Sequence, residues 1–450
     1  MSDDATLNEF VKKEGEHQHD NERKVRGESI PTDWRVVTID DISEKMGDGG
    51  TPSRQGDSGY FGGDITWVVV DDVEFEIEGS KEKLTEKGLN NSSATLWPEG
   101  SVIVTTGASI GEVGVAKQPT ATKQGITGII PSDKINSHFL GRYLEANEAT
   151  LNRFAQGTTF EEIRPYVLRG VEMPLPPLSE QRKIATVLYT VDRAIEKTEA
   201  VIEQMDTVQR GLLRHLFGKG EIASDSNSEV RTEWLGPKPF RVPTSWGVTE
   251  IDSIGKVVTG DTPSTNNEDN YGGTLPFVTP ETLSQEKYVT TSERTLSEGG
   301  RDEAKPIPEG SVMMDCIGSD MGKVAIADCE VATNQQINSV VIEDSEYLPE
   351  FLYYHLQVLS DFIKSQAGQT ATPIVNKSSF QSFSVLRPPI EEQQRIVDAL
   401  RVYDGGREVN QKYLSGLKHL KRGLMQDLLS GTVRTTDTNM EVPDKITQHG

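Results

Sequence analysis

Few residues in this 450-residue chain could do covalent chemistry, and their spacing builds no catalytic set. The densest group is the acidic run Asp71, Asp72, Glu74, Glu76 and Glu78, whose carboxylates suit a hard cation. The run alternates with Val73, Phe75 and Ile77, the period-two pattern of a half-exposed strand, and so predicts a solvated acidic face. The seven histidines form no metal-spaced cluster, and His17 and His19 fall in a polar N-terminal stretch. Two cysteines, Cys316 and Cys329, are too few for a metal cluster and read as reduced thiols in one domain. No G-x-x-x-x-G-K-[ST] phosphate loop occurs. Gly107, Gly111 and Gly114 do not spell a dinucleotide fingerprint and predict turns and strand ends. Nor is there the Asn/Asp-Pro-Pro-aromatic stretch an amino-methyltransferase needs. The expectation is a non-catalytic chain with no metal and no cofactor of its own. What remains is binding chemistry, carried by polar residues in turns.

The net charge is −24, with 70 acidic against 46 basic residues. Taken alone, that argues against phosphate contacts, which need Lys and Arg. One explanation is a basic partner. The other is a halophile's acidic surface, which stays hydrated in high salt while basic residues persist at one face. Asp and Glu are spread along the whole chain, which favours the halophile. The acidic start, Met1-Ser-Asp-Asp-Ala, has no apolar run, and the longest apolar stretch, Trp67–Val70, is strand-sized. The chain therefore reads as soluble, cytoplasmic and without a membrane partner.

The elements that position the turns come in duplicate. Pro31-Thr-Asp-Trp34 recurs as Pro243-Thr-Ser-Trp246, Thr51-Pro-Ser53 as Thr262-Pro-Ser264, and Tyr60-Phe-Gly-Gly63 as Tyr271-Gly-Gly273. Pro98-Glu-Gly-Ser-Val102 recurs as Pro308-Glu-Gly-Ser-Val312, and Gly107 and Gly111 as Gly318 and Gly322. Thr122-Lys-Gln124 recurs as Thr333-Asn-Gln335, Pro176-Pro-Leu-Ser-Glu-Gln181 as Pro388-Pro-Ile-Glu-Glu-Gln393, and Arg210-Gly-Leu212 as Arg422-Gly-Leu424. A register held to within a residue or two over such a length is a tandem repeat.

Each repeat opens with a mixed part, 29–176 and 241–388, of short β-rich runs (Ile65–Val70, Ser101–Thr105, Val324–Ala327) and one late helix, at 137–154 and 348–366. That mix predicts an α+β class. A helical part follows, 177–220 and 389–432. In the first copy Ile184, Leu188, Val191, Ile195, Thr198, Ile202 and Met205 alternate in steps of four and three, a heptad seam that Leu212 extends. Ser179 is placed to cap it, and Gly218 and Gly220 to stop it. The second copy carries Ile396, Leu400, Tyr403, Leu417, Leu424 and Leu428, and Gly405-Gly406 predicts a kink or local opening. Forty helical residues make a rod of about 60 Å. Two such rods bury their seams by pairing as an antiparallel coiled coil, which would relate the two mixed domains by a pseudo-twofold axis. Residues 1–28 and 433–450 read as a disordered and a polar tail, and 221–240 as a linker.

Taken in order and in duplicate, the Thr-Pro-Ser, Tyr-(Phe)-Gly-Gly, Pro-Glu-Gly-Ser-Val, Gly-x-x-x-Gly, Thr-x-Gln and Pro-Pro-(Leu/Ile)-x-Glu-Gln segments resemble the specificity subunits of Type I restriction–modification systems, over about residues 29–432. The resemblance implies two target-recognition domains that each read half of a split, asymmetric double-stranded DNA site, with the helices as spacer. It also implies docking of two adenine-N6 methyltransferase subunits and two translocating restriction subunits, with S-adenosylmethionine, ATP and Mg confined to those partners. A charge of −24 departs from the family's usual basic character and points to a haloarchaeal member.

Within that frame the readers are polar or basic turn residues at matching places. In the first domain these are Thr51, Ser53, Arg54, Ser109, Lys123, Gln124, Thr158, Thr159 and Arg164. In the second they are Thr262, Ser264, Ser319, Lys323, Asn334, Gln335, Gln369, Thr370 and Lys377. Gln and Asn can pair bidentately with adenine, and Arg or Lys with guanine. The identical Thr-Pro-Ser copies fit a shaping role, whereas Lys123 against Asn334 differs, as half-site readers should. The alternative function is a protein-interaction scaffold of duplicated adaptor domains that does not bind DNA.

Overall fold

The computed structural model describes residues 23–25, 28–54, 59–107, 109–155, 162–218, 229–236, 238–283, 286–319, 321–367, 372–436 and 438–447. The chain divides into two compact units, Met1–Thr198 with Tyr413–Gly450, and Glu199–Lys412. Two long helices, Leu178–Gly218 and Ile390–Ser430, each contribute one half to either unit.

The first unit is built on a five-stranded sheet in the order Ser43–Asp48, Ile126–Pro131, Val102–Thr105, Val113–Ala116, Glu76–Ile77. The second repeats that order with Gly255–Thr259, Ile337–Ile342, Val312–Asp315, Val324–Ala327, Tyr288–Val289. In both, the last pair is parallel and the others antiparallel. A smaller sheet accompanies each, centred on Phe61–Val68 and on Tyr271–Val278. Val102–Thr105 and Val312–Asp315 are buried at every position, which is why they read as continuous apolar runs rather than alternating ones. The late helices are Ser137–Ala146 with Glu148–Ala155, and Pro349–Gln366.

The two long helices pack together. Ile184, Leu188, Thr198, Ile396, Leu400, Leu417 and Leu428 are buried, and Val191, Ile195, Ile202, Met205, Leu212, Tyr403 and Leu424 are half-buried. Within the first unit Lys421 Nζ meets Asp192 at 2.9 Å. Within the second, Arg407 meets Asp206 at 2.7 Å and Gln209 Nε2 donates to Asp404 Oδ1 at 2.6 Å. Low numbers on one helix meet high numbers on the other, so the halves pair antiparallel. The expected opening at Gly405-Gly406 is absent, because the helix runs unbroken there. A Cβ on Gly406 would sit 2.6 Å from Met205 Cε, the end of a flexible side chain that can move aside. Ser179 is not a cap either, since the helix already begins at Leu178.

The helix-start motif is explained by two polar anchors. Gln181 Nε2 donates to Pro176 O (2.9 Å) and Lys134 O (3.1 Å), while its Oε1 accepts from Asn136 N (2.8 Å). Gln393 does the same with Pro388 O and Glu346 O (2.9 Å each) and Leu348 N (2.9 Å). Glu180 accepts the Trp34 indole N–H at 3.0 Å, and Glu392 accepts that of Trp246. The Pro-Thr-x-Trp and Pro-Pro-x-x-Glu-Gln repeats are thus two ends of one contact that ties each mixed domain to its helix.

Other segments depart from expectation. Residues 1–22 lie outside the described residues, but Arg23–Val25 pairs with Glu28–Ile30 in a hairpin. Of the proposed linker, 221–228 lie outside the described residues, and Val230–Leu235 pairs with Lys238–Pro243. The C-terminal segment is docked rather than loose. Arg434 spans Asp33 (2.6 Å) and Glu180 (2.8 Å), Lys183 Nζ donates to Thr435 O (3.1 Å), and Ile446 is fully buried. The acidic run is a 3-10 turn, Val70–Asp72, followed by the short strand Glu76–Ile77, not one alternating strand. Glu76 lies 2.8 Å from Lys117 and 3.8 Å from His138, and these two neighbours hold its carboxyl down to about 2.

Candidate nucleic-acid interface

The nominated turns converge in each unit because backbone hydrogen bonds stitch them together. In the first, Gly50 N donates to Thr122 O (2.8 Å), Gly49 N to Ile126 O (3.0 Å), Thr106 N to Gly125 O (2.9 Å) and Ile163 N to Thr106 O (2.8 Å). The turns around 48–54, 105–111, 122–126 and 162–164 therefore form one surface. The second unit repeats the stitches: Asp261 N to Thr333 O (2.9 Å), Gly260 N to Ile337 O (3.2 Å), Cys316 N to Gln336 O (2.8 Å) and Val375 N to Cys316 O (2.9 Å). Gly49 and Gly260 are needed at the crossing, since a Cβ on either would collide with the carbonyls of residues 122–123 or 333–334.

On the first surface Thr51, Ser53, Arg54, Ser109, Lys123, Gln124 and Arg164 are all exposed. Arg54 is held by Glu82 at 2.5 Å and lies over the Phe61 ring at 4.5 Å. Lys123 and Gln124 occupy the tip between Thr122 and Gly125. Beneath that tip Asp48 Oδ1 accepts from Gly49 N (2.9 Å) and Gly125 N (3.1 Å), and burial pushes its carboxyl up. Pro52 and Pro263 are buried, and Tyr271 Oη donates to Pro263 O at 2.7 Å, which fits the shaping role of Thr-Pro-Ser.

On the second surface Thr262, Ser264, Ser319, Gln335 and Lys377 are exposed and Lys323 is half-buried. Thr262 Oγ1 donates to Gln335 Oε1 at 2.5 Å, which presets the orientation of that amide. Asn334 departs from expectation. It is 8% exposed, its Oδ1 accepts from Gln336 N (3.1 Å), and its Nδ2 donates to Gln336 Oε1 (2.9 Å). Its polar groups are spent on shaping the turn, whereas the neighbouring Gln335 is exposed.

The matching of Arg164 with Lys377 also shifts. Arg164 precedes the helix Pro165–Arg169 and Asn376 precedes Lys377–Gln381, so Asn376 is its counterpart. Asn376 caps that helix, its Oδ1 accepting from Ser379 N at 2.9 Å. Thr158, Thr159, Gln369 and Thr370 lie outside the described residues. Two cations at these surfaces have carboxylate partners, Arg54 with Glu82 and Lys305 with Asp261 at 3.1 Å. Cys316 is buried, which pushes its thiol up to about 12 and leaves it inert. No group of His, Cys, Asp or Glu able to hold a metal ion occurs among the described residues.

A family model described as the Type I restriction modification DNA specificity domain matches twice, over residues 31–205 and 243–419. The chain belongs to this family. Its members are the non-catalytic specificity subunits of Type I systems. The chain is 28% identical to the Type I restriction enzyme MjaIX specificity subunit of Methanocaldococcus jannaschii over 424 residues, 91% of this chain and 95% of that one. It is 33% identical to the Haemophilus influenzae HindI specificity subunit over 167 residues, 36% of each chain. The solved S subunit from M. genitalium has the same fold, with TM-score 0.56, 15% identity, and 91% of this chain and 98% of that one covered. Among the described residues no helix is long and apolar enough to cross a membrane.

Proposed function

We propose that this specificity subunit binds double-stranded DNA through its two stitched turn surfaces, each reading one half of a bipartite asymmetric site. The observation that carries the reading is the duplication of the surface itself. The same four segments are joined by equivalent hydrogen bonds in both units, while the exposed tips differ, Lys123-Gln124 against Gln335. Equivalent frameworks with unlike tips suit two half-sites of unlike sequence. In this reading the chain works in the cytoplasm as a scaffold for two methyltransferase and two restriction subunits. Those partners hold S-adenosylmethionine, ATP and Mg, and this chain holds none.

The acidic composition belongs to the same reading. With a charge of −24, counterion release contributes little to affinity, and an acidic surface adapted to molar salt, as in a haloarchaeal host, leaves base contacts and assembly to supply the rest. The test is methylation by the assembled complex across a library of variant sites. Gln335→Ala should relax one half of the site, and Lys123→Ala the other. Equal loss at both halves for either variant, or no protected bipartite site with the unaltered chain, overturns the proposal.

A further inference from the structure

We propose that Asp192 and Asp404 are the pivots of a duplicated clamp that fixes the angle of each recognition domain on its long helices, and so sets the gap between half-sites that the protein accepts. The inference rests on the DNA reading above. Its observation is a set of four positions that recur at a constant offset of 212 residues and meet around one carboxylate in each unit.

In the first unit Asp192, on the first long helix, takes an ion pair from Arg142 of the domain helix Ser137–Ala146. Lys421, from the second long helix, reaches it at 2.9 Å and Glu145 at 3.1 Å. The Arg142 guanidinium stacks on Phe75, beside the edge strand Glu76–Ile77. In the second unit Asp404 stands where Asp192 stood. Lys287 reaches it at 2.9 Å, Tyr354 donates to it at 2.5 Å, and Gln209 of the other long helix donates to it at 2.6 Å. Lys287 Nζ lies 4.3 Å from the Tyr354 ring centroid.

The residues are exchanged but the arrangement is kept. Phe75 and Arg142 put the ring at the sheet edge and the cation on the helix. Lys287 and Tyr354, at the equivalent positions, put the cation at the edge and the ring on the helix. The carboxylate is unchanged, and the third arm is Lys421 or Gln209. Two different chemistries converge on one geometry, so the geometry is what the position requires. Apolar seams are non-directional and permit sliding and tilting. Charge-assisted hydrogen bonds that converge on one carboxylate, from two donors at Asp192 and three at Asp404, are directional and fix an angle. The groups are shielded enough for this to matter: the side chains of Arg142, Asp192, Lys287 and Lys421 are 3%, 16%, 11% and 19% exposed.

One base pair added between half-sites displaces one of them by about 3.4 Å and rotates it by about 34°. A clamped domain cannot follow that change, whereas a domain released at its pivot can follow part of it. The experiment uses the full chain assembled with its methyltransferase subunits, on substrates whose gap varies in single base-pair steps. For D404N, methylation at gaps one base pair off should rise about tenfold relative to the preferred gap, with base preference in each half-site unchanged. D192N should do the same. K287F/Y354R, which imports the first unit's arrangement, should keep the single preferred gap. An unchanged gap profile in both Asp variants, or a uniform loss at every gap, overturns the clamp. If D404N does not fold, D192N and the exchanged pair decide the matter. If the unaltered complex selects no bipartite site, the DNA reading fails instead.

Discussion

His355 makes the second unit acid-sensitive in a way that can be worked out from its surroundings. The ring is fully buried, stacked on Phe217 at 5.1 Å and 4°, with Phe351 at 5.9 Å and Phe240 edge-on at 6.1 Å. Its Nδ1 accepts from Leu386 N at 3.4 Å, and its Nε2 has no hydrogen-bond partner. Burial lowers its pKa from 6.5 to about 3, so the native ring stays neutral where the unfolded chain takes up a proton. The contribution to stability is complete above pH 6.5 and is lost progressively as pH falls from 6.5 toward about 3. At pH 5 the loss is about 2 kcal/mol, which for a unit of this size lowers Tm by about 4–8 °C. The first unit has Tyr143 at the equivalent position, and Pro174 where the second has Leu386. Proline has no N–H to satisfy, so no acceptor is needed there. His355→Phe removes the titration and strands the Leu386 N–H, costing about 1–3 kcal/mol at every pH. Calorimetric melting from pH 7.5 to 5.0 should therefore show the gap between the unaltered chain and H355F narrowing by about 2 kcal/mol on acidification. A gap that stays constant with pH would refute the buried neutral imidazole.

Two further outcomes follow from contacts in single units. Arg434→Ala should cost about 3 kcal/mol in urea unfolding, because the Glu180 side chain, 2% exposed, loses its cation, and E180Q should recover part of that loss. Gly260→Ala should destabilise the second unit by about 1–3 kcal/mol and weaken recognition at one half-site only, since the new methyl would drive the 259–264 turn off the Thr333 carbonyl; melting and half-site methylation assays check both parts.

Much of this organisation was legible in the residues. The heptad seam showed because a helix buries every third or fourth residue whatever its partner. The repeat showed because Trp34 and Glu180, or Trp246 and Glu392, each depend on the other half of the motif. Other features were hidden in contacts between residues far apart in the chain. Asn334 and Gln335 are adjacent polar residues of similar chemistry, and only the turn decides that one faces inward. The C-terminal segment reads as a polar tail, yet Arg434 and Ile446 find their partners through chain separations that composition does not record.

The sequence by itself determined the two-copy plan, the helix-and-sheet class, the helix seam and the family, because these follow from local periodicity and from motifs repeated at a fixed offset. The tertiary structure alone decided which polar residues face out of the stitched turns, and that Asp192 gathers donors from two other elements and Asp404 from three. The physical reason is that hydrogen bonds and ion pairs are directional and short-ranged. Whether a polar side chain is used for shaping or left for a ligand depends on what the folded chain brings within about 3 Å of it.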